Sequence, residues 1–239
     1  MQPDLQSIRT DSNAPQGWSP TADAASLQHG VLRNTYWLLA LSLIPTVIGA
    51  VIGAGIDVSF MRTSPVISFI AILAIFYGWI YAIERNRTSA IGVVLLLGFT
   101  LFLGMLLAPT LQRVLGLRNG VELVMMAAGG TAAVFFVMAG IASTSKRDFS
   151  KLGQFMTVGA IVIMLAVVAN LFIASPGMQL AIVAAFVIFS SLMILYQVNS
   201  IVRGGETNYV SATLTLYIAI YNLFSSLLQL LGFFGGSKD

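Results

Sequence analysis

Seven apolar stretches alternate with short polar or turn segments, near residues 35–56, 65–83, 90–109, 121–142, 153–174, 179–200 and 212–232. Each is close to the roughly 20 residues that an α-helix needs to cross the hydrocarbon core of a bilayer. The breaks between them are Asp57–Ser64, Glu84–Ser89, Thr110–Gly120, Ser143–Leu152, Ser175–Met178 and Arg203–Tyr209. This pattern predicts an all-α integral membrane protein, a bundle of seven transmembrane helices with no charge in the middle of any span. In the third break, Leu111, Val114 and Leu117 have the spacing of a short amphipathic helix on the membrane surface.

The spans divide the chain into a polar N-terminal tail (1–30), a membrane bundle (31–232) and a short C-terminal tail (233–239). The first thirty residues hold Asp4, Asp11, Asp23 and three prolines. They lack the apolar run of roughly 7–15 residues that a secretory signal needs. They bury too little apolar surface to offset ordering entropy, so they are expected to be flexible.

Composition agrees with a membrane location. Of the 239 residues, 57% are hydrophobic and 9% charged, against roughly 25% charged in soluble domains. The net charge of +3 is spread over loops, without the basic patch that nucleic acid requires. Cysteine is absent and His29 is the one histidine, so thiolate and multi-imidazole metal sites are excluded. No span holds a metal constellation, an aspartate pair or a Ser/His set, so neither an enzyme nor a cofactor is expected.

Cytoplasmic loops of membrane proteins carry an excess of Lys and Arg. With the N-terminus inside, Arg9, Arg33, Arg85, Arg87, Lys146, Arg147, Lys151 and Arg203 are cytoplasmic, and Arg62, Arg113, Arg118 and Lys238 lie opposite. This imbalance predicts a cytoplasmic N-terminus and, with an odd number of spans, a periplasmic C-terminus. Tyr36, Trp37, Tyr77, Trp79, Tyr81 and Tyr209 sit near span ends, where amphipathic rings anchor at the headgroups.

Within the bilayer, small residues let helix backbones approach. Gly49 and Gly53 form such a step in span one, and Gly129, Ala133 and Gly140 are expected to act similarly in span four. Pro45 is expected to bend span one. In span seven, Thr215, Ala219, Asn222, Ser226 and Gln229 recur at steps of four, three, four and three, which puts them on one helical face. Such a stripe belongs against protein or water rather than lipid. It either hydrogen-bonds neighbouring helices or lines a wetted path. Span six ends in Tyr196, Gln197, Asn199 and Ser200. The loop that follows pairs Gly204 with Gly205, suited to a tight turn, and places Glu206 near the positive end of span seven.

The segments 191–209 (SLMILYQVNSIVRGGETNY) and 216–232 (LYIAIYNLFSSLLQLLG) resemble the transmembrane Bax inhibitor motif family, and within it the bacterial YccA-like branch. The resemblance implies a seven-helix fold whose last helix is central and wrapped by two three-helix layers. It also implies a bacterial inner-membrane protein that is a substrate and modulator of the membrane-bound, ATP-dependent FtsH protease. Calcium-leak members of the family carry two facing aspartates on helices six and seven, a pair that shares a proton. The positions matching them here are Gln197 and Ala219, a degenerate latch that cannot ionise. A cation leak gated in some other way is the alternative function. An interaction protein engaged through its N-terminal tail, a site for a processive protease to start, is the leading one.

Overall fold

A computed structural model of the chain describes residues 20–56, 63–145, 149 and 152–235. It contains helices α1 (Pro20–Ala54), α2 (Pro65–Arg85), α3 (Ala90–Leu115), α4 (Gly120–Thr144), α5 (Leu152–Ile173), α6 (Pro176–Val202) and α7 (Tyr209–Gly235). All seven are long and apolar enough to cross a membrane, α1 through its Gln28–Ala54 portion. Proline opens α2 and α6 at a position where its missing N–H is no loss. The Ser175 hydroxyl caps α6 by accepting the Met178 N–H at 3.4 Å.

Two boundaries depart from expectation. α1 starts at Pro20, so residues 20–30 of the expected tail are helical, and residues 1–19 lie outside the described part. Ala24, Ala25 and Leu27 are strong helix formers, and proline suits a first helical position. The expected surface helix after residue 109 is instead the last part of α3, which runs through Pro109 to Leu115. Burial explains the extension: Val114 is 4% exposed and packs with Leu107, Leu123 and Leu228. Gln112 at that end donates to the Ala54 carbonyl at 2.7 Å, which satisfies an open end of α1. α1 likewise continues through Pro45 without a break.

The last helix is the interior one. α7 packs against α1, α2, α3, α4 and α6, and it supplies residues to all three apolar clusters. Ala212, Leu216, Ala219 and Leu223 meet α4 and α6. Val210, Leu214 and Tyr217 meet α1, α2 and α3. Leu228 meets the far ends of α3 and α4. α3 also joins α1 to α2, while α6 joins α4 to α5. α5 is peripheral, with Met156 its one buried residue. Large apolar side chains such as Val51, Ile67, Phe136, Phe155 and Phe172 point outward, as a lipid-facing surface requires.

The most extensive helix interface, α1 on α3, is made of glycine. A methyl group on Gly49 would strike the Leu101 carbonyl, and one on Gly53 would lie 2.7 Å from Met105 Cα. Gly104 sits against Thr46 and Ala50 in the same way. The small residues of span four behave otherwise: Gly129, Ala133 and Gly140 are exposed, and a methyl group on either glycine would meet nothing within 4 Å. Spacing alone cannot tell a packed small face from a lipid-facing one. Trp79 also turns inward, donating to the Leu95 carbonyl at 2.9 Å and stacking on Phe102 with ring centroids 5.7 Å apart. Trp37, Tyr77 and Tyr81 stay exposed, as an interfacial belt would be.

Gly49→Ala is expected to lower stability by about 1–3 kcal/mol through overpacking, whereas Gly129→Ala should stay within about 0.5 kcal/mol. Thermal melts of the two variants in the same detergent distinguish the packed face from the open one.

Candidate functional site

The α6–α7 hairpin carries the positions singled out from sequence. Gln197 is 6% exposed and Ala219 3% exposed, on two helices that pack directly together. Ala219 lies in an apolar cluster with Ile194, Val198 and Leu216. A carboxylate there would have to leave water for hydrocarbon side chains, a large cost without a partner. Neighbouring Asn199, 3% exposed, donates to the Ala142 carbonyl at 3.4 Å and accepts from the Phe149 N–H at 3.3 Å. It therefore holds the α4–α5 connection against α6.

The polar stripe of α7 faces inward. Ala219 and Ser226 are buried, and Thr215, Asn222 and Gln229 are half-buried. At its far end, Gln229 donates to the Ser225 hydroxyl at 3.3 Å and accepts from Gln179 at 3.4 Å. Gln179 accepts from Asn170 at 3.0 Å, and Asn170 accepts from the Ser175 N–H at 3.2 Å. A carboxamide chain thus joins the end of α5, the start of α6 and the end of α7.

At the opposite end of the bundle, Gly204 adopts φ 75°, the left-handed turn expected of the glycine pair. The Gly205 and Glu206 N–H groups both donate to the Ser200 carbonyl, at 2.8 and 3.2 Å, closing α6. A methyl group on Gly204 would come to 2.7 Å from Gln28 Nε2, so the Gln28 side chain of α1 lies across this turn. Glu206, expected to start α7, accepts from the Asn208 N–H at 2.8 Å. The cap itself is Asn208, whose Oδ1 accepts from Val210 and Ser211 N–H at 2.9 and 3.1 Å. Its signal was an Asn immediately before the apolar run, a favoured N-cap residue.

Asn208 also donates to the Arg87 carbonyl at 3.0 Å, and Ser211 donates to Glu84 Oε2 at 2.9 Å. Arg87 pairs with the same carboxylate oxygen at 3.4 Å. The start of α7 is therefore fastened to the α2–α3 turn by Glu84, Arg87, Asn208 and Ser211.

A further polar cluster lies deeper, between α1, α3 and α7. The Tyr217 hydroxyl, on a residue 2% exposed, shares a hydrogen bond with Thr46 Oγ1 and donates to the Thr100 carbonyl at 3.4 Å. One turn away, Thr213 donates to the Thr35 and Tyr209 carbonyls at 3.3 and 2.7 Å. The sequence holds a sign of this cluster in the i, i+4 pairs Ser42/Thr46 and Thr213/Tyr217, each on one helical face. Among the described residues, no three His, Cys, Asp or Glu side chains come together as metal ligands.

Comparison with known proteins places this architecture. Residues 28–236 match the family described as "Inhibitor of apoptosis-promoting Bax1". An uncharacterised protein of Neisseria meningitidis is 48% identical over 203 residues, covering 84% of this chain and 89% of the relative. One from Pseudomonas aeruginosa is 45% identical over 207 residues, with 87% and 90% coverage. The Escherichia coli K12 protein "Modulator of FtsH protease YccA" is 39% identical over 223 residues, covering 92% of this chain and 98% of its own. The match extends over all seven helices, and this chain belongs to the Bax inhibitor family.

Proposed function

We propose that this chain is an inner-membrane interaction protein: a substrate and modulator of an FtsH-like, membrane-bound ATP-dependent protease, engaged through its N-terminal segment. The observation that carries the reading is the 39% identity to the E. coli modulator across 92% of this chain. A closely similar E. coli protein is named an inner membrane protein, which supports the same membrane here.

The mechanism follows from what stands behind the N-terminal segment. A processive protease pulls from an accessible end, and α1 is the first helix to come under load. α1 is held to α3 by interlocked glycines and to α7 by the Thr46–Tyr217 hydrogen bond. Once helices are dislodged, their buried polar groups meet hydrocarbon without partners. Extraction is therefore slow, and a protease engaged on this bundle is withheld from other substrates. The uncharged Gln197 and Ala219 support this reading over a proton-latched cation leak, since divalent cations want several carboxylate or carbonyl oxygens.

Deletion of residues 1–19, which leaves α1 whole, is expected to lengthen the chain's lifetime several-fold in cells with active protease. Pulse-chase measurement reads this, and a deleted chain that disappears as fast as the intact one contradicts the tail as the point of engagement.

We also propose a cytoplasmic N-terminus and periplasmic C-terminus, on the excess of Lys and Arg in the even-numbered turns and the N-terminal segment. The chain has no cysteine of its own, so single Ser12→Cys and Ser237→Cys variants can be labelled with a membrane-impermeant maleimide. Intact spheroplasts should label Ser237→Cys at once and Ser12→Cys only after lysis. The reverse pattern inverts the orientation.

A further inference from the structure

Where α3 and α7 end and α6 begins, the helices part around a cavity of about 450 Å³. Its walls include Val114, Leu180 and Phe233, and its polar groups include Arg113, Gln179 and Gln229. Three observations bear on what could occupy it. The cavity opens between membrane-spanning helices at their ends, which is headgroup depth for helices of this length. Its apolar walls give water few partners, so hydrocarbon fills such a space better than solvent does. Arg113, in the last turn of α3, is exposed and donates through Nε to the Pro109 carbonyl at 3.4 Å. Among the described residues the one ion pair is Glu84–Arg87, at the other end of the bundle, and no described carboxylate pairs with the Arg113 guanidinium.

An exposed guanidinium at the rim of an apolar, lipid-accessible cavity matches one class of molecule. Its planar fork binds phosphate oxygens two at a time, and the cavity below accepts a chain of methylene groups. The chain of carboxamides from Asn170 through Gln179 to Gln229 fixes the spacing of α6 and α7 at this point. The site is therefore held open by hydrogen bonds formed within the protein. We propose that this cavity is a binding site for an anionic phospholipid, with one acyl chain between α3, α6 and α7 and the headgroup phosphate on Arg113. The site lies outside the α6–α7 turn and does not depend on how a protease engages the chain.

The full-length protein in nanodiscs of phosphatidylcholine, titrated with phosphatidylglycerol and read by native mass spectrometry, tests this. Saturable uptake of one phosphatidylglycerol is expected, about tenfold tighter than phosphatidylcholine. Arg113→Glu should abolish the preference, and Arg113→Gln, milder at the helix end, should reduce it. Leu180→Trp, which fills the cavity, should reduce uptake of both lipids. Arg118→Glu, a charge change on the next loop, should leave all values unchanged. Soluble glycerol phosphate should not compete, which separates a lipid site from a phosphate site. The proposal is overturned if folded Arg113→Glu and Arg113→Gln proteins keep the preference. It is equally overturned if Arg118→Glu removes it to the same extent, because the attraction would then be a diffuse surface effect.

Discussion

A helix carrying Thr213, Tyr217, Ser226 and Gln229 cannot present those groups to hydrocarbon, and the bundle is arranged around that exclusion. α7 is placed between other helices: α4 and α6 on one side, α1, α2 and α3 on the other. The apolar faces displaced by this choice turn outward, where lipid accepts them. The hydrophobic effect does not drive helices together inside a bilayer, so the association must come from close packing and buried hydrogen bonds. Both are present. Glycines bring α1 and α3 into backbone contact, and Tyr217 links α7 to each of them.

The same arrangement separates the two ends of the molecule by chemistry. One end is a rigid turn, where Gly204, Glu206 and Asn208 close the α6–α7 hairpin and Glu84 and Arg87 bind it to α2. The other end carries the carboxamide chain, the exposed Arg113 and an open cavity. Among the described residues no three His, Cys, Asp or Glu side chains gather as metal ligands, and the paired positions on α6 and α7, Gln197 and Ala219, carry no ionisable group.

Much of this could be read from sequence, because lipid imposes simple rules. Span length, the absence of central charges and the inward stripe on α7 all follow from the cost of an unpaired polar group in hydrocarbon. The Gly49/Gly53 step and the turn at Gly204 were legible for the same reason: few residues other than glycine fit there. What could not be read depends on which side of a helix meets which neighbour. Gly129 and Ala133 have the spacing of Gly49 and Gly53 without the contact, and Trp79 has an interfacial position with an inward ring. The Asn208–Arg87 and Thr46–Tyr217 links join residues far apart in the chain, where local pattern gives no partner. The extension of α3 past Pro109 was hidden because proline is a strong stop in water and a weak one between packed membrane helices.

The central claim is that the chain meets a membrane protease through its first residues while the bundle behind them resists extraction. Photo-crosslinking from position Ser7, compared with position Phe136 on the outer face of α4, tests it most directly in cells whose FtsH is proteolytically inactive but still hydrolyses ATP. The account predicts an adduct with the protease from Ser7 that depends on ATP turnover and is absent from Phe136. An adduct from Phe136 with none from Ser7 would contradict it.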